Sequence, residues 1–202
     1  MTKLMVTGFE PFGRWEENPS EQLVKHLQVN RDPHVEAFLL PVVFHEAGRK
    51  MKELIRHTNP DAVVMLGTAP GRAAWSIERT AVNTESAPIA DNSGEQPEDR
   101  IIEETGPFAY RTTLPRSRLI QELHAANIPA ETSESAGTYV CNSLFYHVMH
   151  ELNDSYVPAG FIHLPALPSM SLDGKLPTMP LSMQQEALDT VLNTLKKEIE
   201  SC

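Results

Sequence analysis

The chain has 202 residues, 41% of them apolar, and a formal net charge of -10 at pH 7. That size supports one substantial core and a single domain over residues 1–202. The acidic balance argues against a nucleic-acid-binding surface. No run reaches the ~20 apolar residues that span a bilayer, and residues 1–15 lack a signal-peptide pattern. The only cysteines, Cys141 and Cys202, can form neither a disulfide framework nor a zinc cluster, so a reducing, cytoplasmic compartment is expected.

In chain order, residues 3–7 read as a short buried strand entering Gly8. The loop Gly8-Phe9-Glu10-Pro11-Phe12-Gly13 lacks both the Lys-Ser/Thr end of a phosphate loop and the glycine spacing of a dinucleotide fingerprint. Its Phe9 and Phe12 can wall an apolar pocket or tether the loop to the core. Asn18-Pro19-Ser20-Glu21 is a helix start, with Asn18 as cap, Pro19 at the first helical position and Glu21 as reciprocal cap. A strand is predicted over 35–43 and a helix over 45–57, ended by Asn59-Pro60. Asp61 to Gly67 is continuously apolar after its first residue and reads as a central parallel strand covered on both faces.

The loop Thr68-Ala69-Pro70-Gly71-Arg72 follows that strand, where ligands bind in open α/β sheets. Residues 74–82 set Glu78 and Arg79 among apolar side chains. A carboxylate drawn into such surroundings needs a partner; an ion pair of Glu78 with Arg72 or Arg79 satisfies it as well as any catalytic use. Residues 84–99 are polar and form a loop-like excursion. A helix over 116–126 and a weak strand near 130–134 precede Gly137-Thr138-Tyr139-Val140-Cys141-Asn142-Ser143. There a flexible approach delivers a cysteine to the first turn of an apolar-periodic helix. Unpaired N–H groups and the positive dipole end favour thiolate at such a position, whereas a plain buried cysteine is the alternative.

His147 and His150 lie on that helix without the His-Glu-x-x-His arrangement, and no metal is expected. Ala159 to Pro165 reads as a strand with His163 at its exit. A proline-rich loop, 165–180, leads to a final helix capped by Ser182-Met183-Gln184-Gln185.

A right-handed crossover from the 130–134 strand to the 159–165 strand would make the two parallel and bring Cys141 and His163, 22 positions apart, to one edge. Glu78 lies past another strand's ligand-binding end. A Cys141–His163–Glu78 triad follows: the thiol attacks a carbonyl, the imidazole moves the proton and the carboxylate orients the imidazole. The Cys141 N–H faces the developing oxyanion. Three unrelated core or ion-pair residues are the competing reading.

Several motifs in order resemble pyroglutamyl-peptidase I, also called pyrrolidone-carboxylate peptidase, along nearly the whole chain. They are Val6 to Gly13 with Asn18-Pro19-Ser20, Ala69-Pro70-Gly71-Arg72, Ser76-Ile77-Glu78-Arg79 with Ala81-Val82-Asn83, Asp91-Asn92 with Gly94, Ser135 to Asn142, and Gly160 to Pro165. The resemblance implies a three-layer α/β/α sandwich with a mostly parallel open sheet and a homo-oligomer, commonly a tetramer. It implies removal of N-terminal pyroglutamate from peptides without metal or organic cofactor. Catalysis by Glu78, Cys141 and His163 is carried over, with Phe9, Phe12 and Asn18 near the pyroglutamyl ring and Thr68 at a variable position beside it. One departure stands out: Ser86-Ala87-Pro88-Ile89-Ala90-Asp91-Asn92 carries Pro88 where the family has an arginine that organises the oxyanion region. Arg72, Arg79 or a water can compensate. Otherwise an amidohydrolase of another small lactam, or a peptide-binding protein without turnover, is the alternative.

Overall fold

The computed structural model describes residues 2–201, so Cys202, expected to be an exposed terminal thiol, lies outside the described residues. The chain runs β1 (Leu4–Phe9), α1 (Pro19–Asn30), β2 (Val35–Leu40), α2 (Glu46–Thr58), β3 (Ala62–Thr68), β4 (Trp75–Glu78), β5 (Thr80–Val82) and β6 (Ala109–Arg111). It continues α3 (Arg116–Ala125), β7 (Ala130–Ser133), α4 (Val140–Glu151), β8 (Ala159–Leu164), a 3-10 turn at Pro168–Ser171, and α5 (Leu181–Glu200). Six strands form one sheet in the order β2-β1-β3-β8-β4-β7, and β5 and β6 make a separate two-stranded ribbon. β2, β1, β3 and β8 are mutually parallel, while β4 opposes β8 and β7 runs with β4.

Strand alternation sorts the core into two layers. Leu4, Val6, Val64, Leu66, Ile77 and Ile162 face α1, α3 and α5, which supply Leu23, Leu119, Leu123, Leu188 and Val191. Met5, Phe9, Val63, Met65 and Phe161 face α2 and α4, which supply Ala47, Met51, Leu144, Phe145 and Val148. The continuous apolar run of β3 is buried along its whole length, as a central strand covered on both faces must be. The architecture is the expected three-layer α/β/α sandwich with a mostly parallel sheet.

Four local expectations are corrected. β7 and β8 are antiparallel and not neighbours, because β4 inserts between them and reverses direction. The juxtaposition of Cys141 with β8 therefore comes from α4 and β8 alone. The 12-residue helix is about 18 Å long and runs back along the six-residue strand it feeds, which leaves its N-terminus at the exit of β8. Second, α5 begins at Leu181 with no side-chain cap; Gln184 is buried and donates to Pro165 O and Met179 O, so it pins the proline-rich loop. Third, Asn18 caps α1 through Ser20 N, but Glu21 pairs with Lys25. β2 also ends at Leu40, short of the predicted 43.

Candidate active site

Cys141 is the second residue of α4, whose N-cap residue Tyr139 is extended. Its sulfur sits over the end of β3. A Cβ on Gly67 would lie 3.0 Å from Sγ and 2.7 Å from Phe161 Cζ. A side chain at position 67 would fill the space the thiol occupies, which is why glycine stands there. Gly67 is also the register partner of His163 in the β3–β8 pair, so thiol and imidazole share one level of the sheet. Among the described residues no hydrogen bond joins them; such contacts often tighten only when substrate binds.

His163 and Glu78 meet as a diagonal cross-strand pair. Ser76 pairs with His163 across antiparallel β4 and β8, and Glu78 lies two residues on, on the same face. Glu78 Oε1 is 2.6 Å from His163 Nδ1 and 2.9 Å from Arg72 Nη1. Glu78 is fully buried. Its two open readings are thus realised together: it holds the imidazole and forms an ion pair with Arg72. Arg79 turns away to Glu134, 3.0 Å from it. Pro88 is exposed, so the cation at the site is Arg72.

The electrostatics differ from what the helix start predicts. Burial pushes the Cys141 thiol up to about 12, helped by the Glu78 charge; its own backbone N–H and Arg72 oppose this without prevailing. Burial likewise holds His163 below its ordinary value, against the hydrogen bond and charge of Glu78, with Arg72 pushing the same way as burial. The resting pair is neutral thiol and neutral imidazole. With Nδ1–H donating to the Glu78 carboxylate, Nε2 keeps the lone pair that can accept the thiol proton.

A small, tight pocket lies beside the thiol, lined by Phe9, Phe12, Asn18, Val42, Thr68, Tyr139 and Cys141. The structure thus gathers every sequence-predicted binding residue around Cys141. Phe9 serves both of its readings, since it is core-buried and walls the pocket. Asn18 is less free than expected: its Oδ1 accepts from Ser20 N, Ser20 Oγ and Thr68 Oγ1 (2.6 Å), and its Nδ2 donates to Glu10 O. Its amide holds the pocket together across α1 and β3, with one N–H remaining.

Val42 and Tyr139 were not anticipated. Tyr139 packs on Phe12 and edge-on against Phe44, and its hydroxyl donates to Ala90 O. Its place in the Gly137–Ser143 stretch, two residues before Cys141, was the available signal. The Asp91-Asn92 motif bolts the excursion in place. Asp91 accepts from Phe44 N and Ser93, and Asn92 Nδ2 donates to Glu10 Oε1.

The fold is a three-layer α/β/α sandwich, and comparison with known proteins gives its class: a peptidase family. A model of the pyroglutamyl peptidase family matches residues 2–198. A pyrrolidone-carboxylate peptidase of Vibrio vulnificus is 41% identical over 96% of this chain and 92% of its own. One of Bacillus cereus is 40% identical over 99% and 90%. The crystal structure of pyroglutamyl peptidase I from Bacillus amyloliquefaciens superposes with a TM-score of 0.89 at 36% identity, covering 95% of each chain. A mutant pyrrolidone carboxyl peptidase from Pyrococcus furiosus superposes at 0.92 and 38%, covering 98% of this chain and all of the other. The chain belongs to the pyroglutamyl peptidase family.

Proposed function

We propose that the whole chain is one catalytic domain that releases N-terminal pyroglutamate from peptides through a thioester on Cys141. The observation that carries this reading is the convergence of Cys141, the pocket and the His163–Glu78 pair at one sheet edge. The lactam ring enters between Phe9 and Phe12, which bury its apolar faces, and its polar edge meets Asn18 and Thr68.

His163 Nε2 takes the thiol proton as Sγ attacks the pyroglutamyl carbonyl carbon. The unpaired N–H of Cys141, in the first turn of α4, faces the oxyanion. The imidazolium, stabilised by Glu78, returns its proton to the leaving amine as the C–N bond breaks. Water, deprotonated by His163, then cleaves the thioester, releases pyroglutamic acid and restores the thiol. Arg72, 2.9 Å from Glu78, offsets its charge. A cytoplasmic location and a homotetramer complete the proposal. Among the described residues no helix is long and apolar enough to cross a membrane.

The test is hydrolysis of pyroglutamyl-aminocoumarin by the wild type and Cys141→Ser. Turnover that falls to background in the variant is expected. Retained turnover in Cys141→Ser rules out the nucleophile. Binding without turnover in both proteins supports the non-catalytic alternative. No turnover here, with hydrolysis of another cyclic amide, supports the lactam amidohydrolase.

A further inference from the structure

We propose that His45, His147 and Glu85 form a binding site for a divalent transition-metal ion, zinc being the best matched. Ligand atoms of these three residues lie within 4.8 Å of one another. Three features indicate a donor set. His147 Nε2 is buried and has no hydrogen-bond partner, which is unusual for a buried polar atom. Its ring is held in place because residue 48 is glycine: a Cβ there would fall 2.3 Å from His147 Cδ2.

The second feature is His45, at φ 59° and ψ -41° immediately before α2. Glu46 N donates to Phe44 O at 2.6 Å across it. This is a γ-turn of the positive-φ kind, rare for a residue with a Cβ. It directs an otherwise half-exposed side chain to Glu85, with Nε2 3.7 Å from Oε2.

The third feature is Glu85, a fully buried carboxylate. It accepts from Ser143 Oγ at 2.5 Å and from Arg100 Nε at 2.7 Å, with Arg100 Nη2 a further 2.7 Å contact. Its charge is therefore shared, and the imidazoles supply the main donors. Lys52 and Arg100 nearby disfavour hard cations held by charge alone, so magnesium and calcium are poor fits. Zinc, nickel and copper suit two imidazoles and a carboxylate, with water completing the shell. Zinc ligands about 2.1 Å from the ion stand roughly 3.4 Å apart in a tetrahedron, so the set closes by an ångström or so, which the exposed His45 side chain can provide. His150 does not take part; its Nδ1 is 2.8 Å from the Tyr110 hydroxyl.

The protein for the test is the Cys141→Ser, Cys202→Ser double variant, which removes both thiols as competing ligands. Zinc chloride titration by calorimetry is expected to give one zinc per chain, and cobalt chloride to give the visible absorption of a four- or five-coordinate ion. His45→Ala, at an exposed side chain, weakens binding about tenfold or more. His147→Gln does the same, with circular dichroism confirming its fold. Absence of saturable binding, or binding unchanged in His45→Ala, overturns the proposal. Equal binding of magnesium overturns the imidazole-led site.

Discussion

Burial raises the Cys141 thiol and lowers His163, so in the proposed mechanism the pair is set for proton transfer during attack rather than as a preformed ion pair. Because His163 is held below its ordinary value, the acid limb of kcat/KM should fall below about 6.5, the reference value for histidine. Arg72 adds to that depression. Arg72→Gln should therefore move the acid limb to higher pH, which a pH–rate profile reads directly; an unmoved limb places Arg72 outside the proton-transfer unit. Glu78→Gln should lower kcat by about three to four orders of magnitude, the scale for neutralising a triad carboxylate. Gly67→Ala places a methyl where Sγ and Phe161 already stand. It should lose about 1–3 kcal/mol of stability in denaturant unfolding and displace the thiol.

At the scale of elements, α1 and β3 are joined by one amide. Asn18→Ala removes the cap of α1, the acceptor of Thr68 and one pocket wall together. A loss of about 1–2 kcal/mol is expected, with KM rising as Thr68 loses its anchor. The cap was legible because Asn-Pro-Ser-Glu carries its chemistry locally. The buried strand β3 was legible because an apolar run admits few other readings. β4, β5 and β6 were not: three or four residues give too short a period, and their pairing is settled by distant partners. The antiparallel insertion of β4 is likewise a tertiary choice that no local pattern encodes. Cys141 and His163 were nevertheless placed rightly at one edge, because α4 and β8 alone suffice. The state of the thiol stayed open between thiolate and buried thiol, because a helix start is visible in sequence and desolvation is not.

The whole molecule stores these choices as pH-dependent stability. His147 and His163 both have depressed values when folded. The unfolded chain therefore binds more protons below about 6.5, and stability should fall from there toward the folded value of about 4 for His147. Cys141 contributes in the opposite range. Its folded value is raised to about 12, so its contribution is full below the unfolded value of 9.0 and is lost as pH rises between them. Melting temperature measured across pH should form a plateau between these flanks. Tyr139 and Tyr146, also raised to about 12 by burial, contribute from pH 10 upward, so Cys141→Ser should make the alkaline flank begin later and fall less, with the acid flank unchanged; an alkaline flank identical to wild type removes Cys141 from it.

A sulfur that stays protonated at rest is also poorly armed against small electrophiles and oxidants, which react with thiolate. Iodoacetamide and hydrogen peroxide should inactivate the protein slowly at neutral pH, far more slowly than they modify an open, low-pKa cysteine. An electrophile carried on a lactam ring reaches His163 and Cys141 together and recruits the base. Selectivity toward covalent inhibitors is thus set by the same desolvation that keeps the proposed nucleophile protonated, and ring recognition becomes the condition for disarming it.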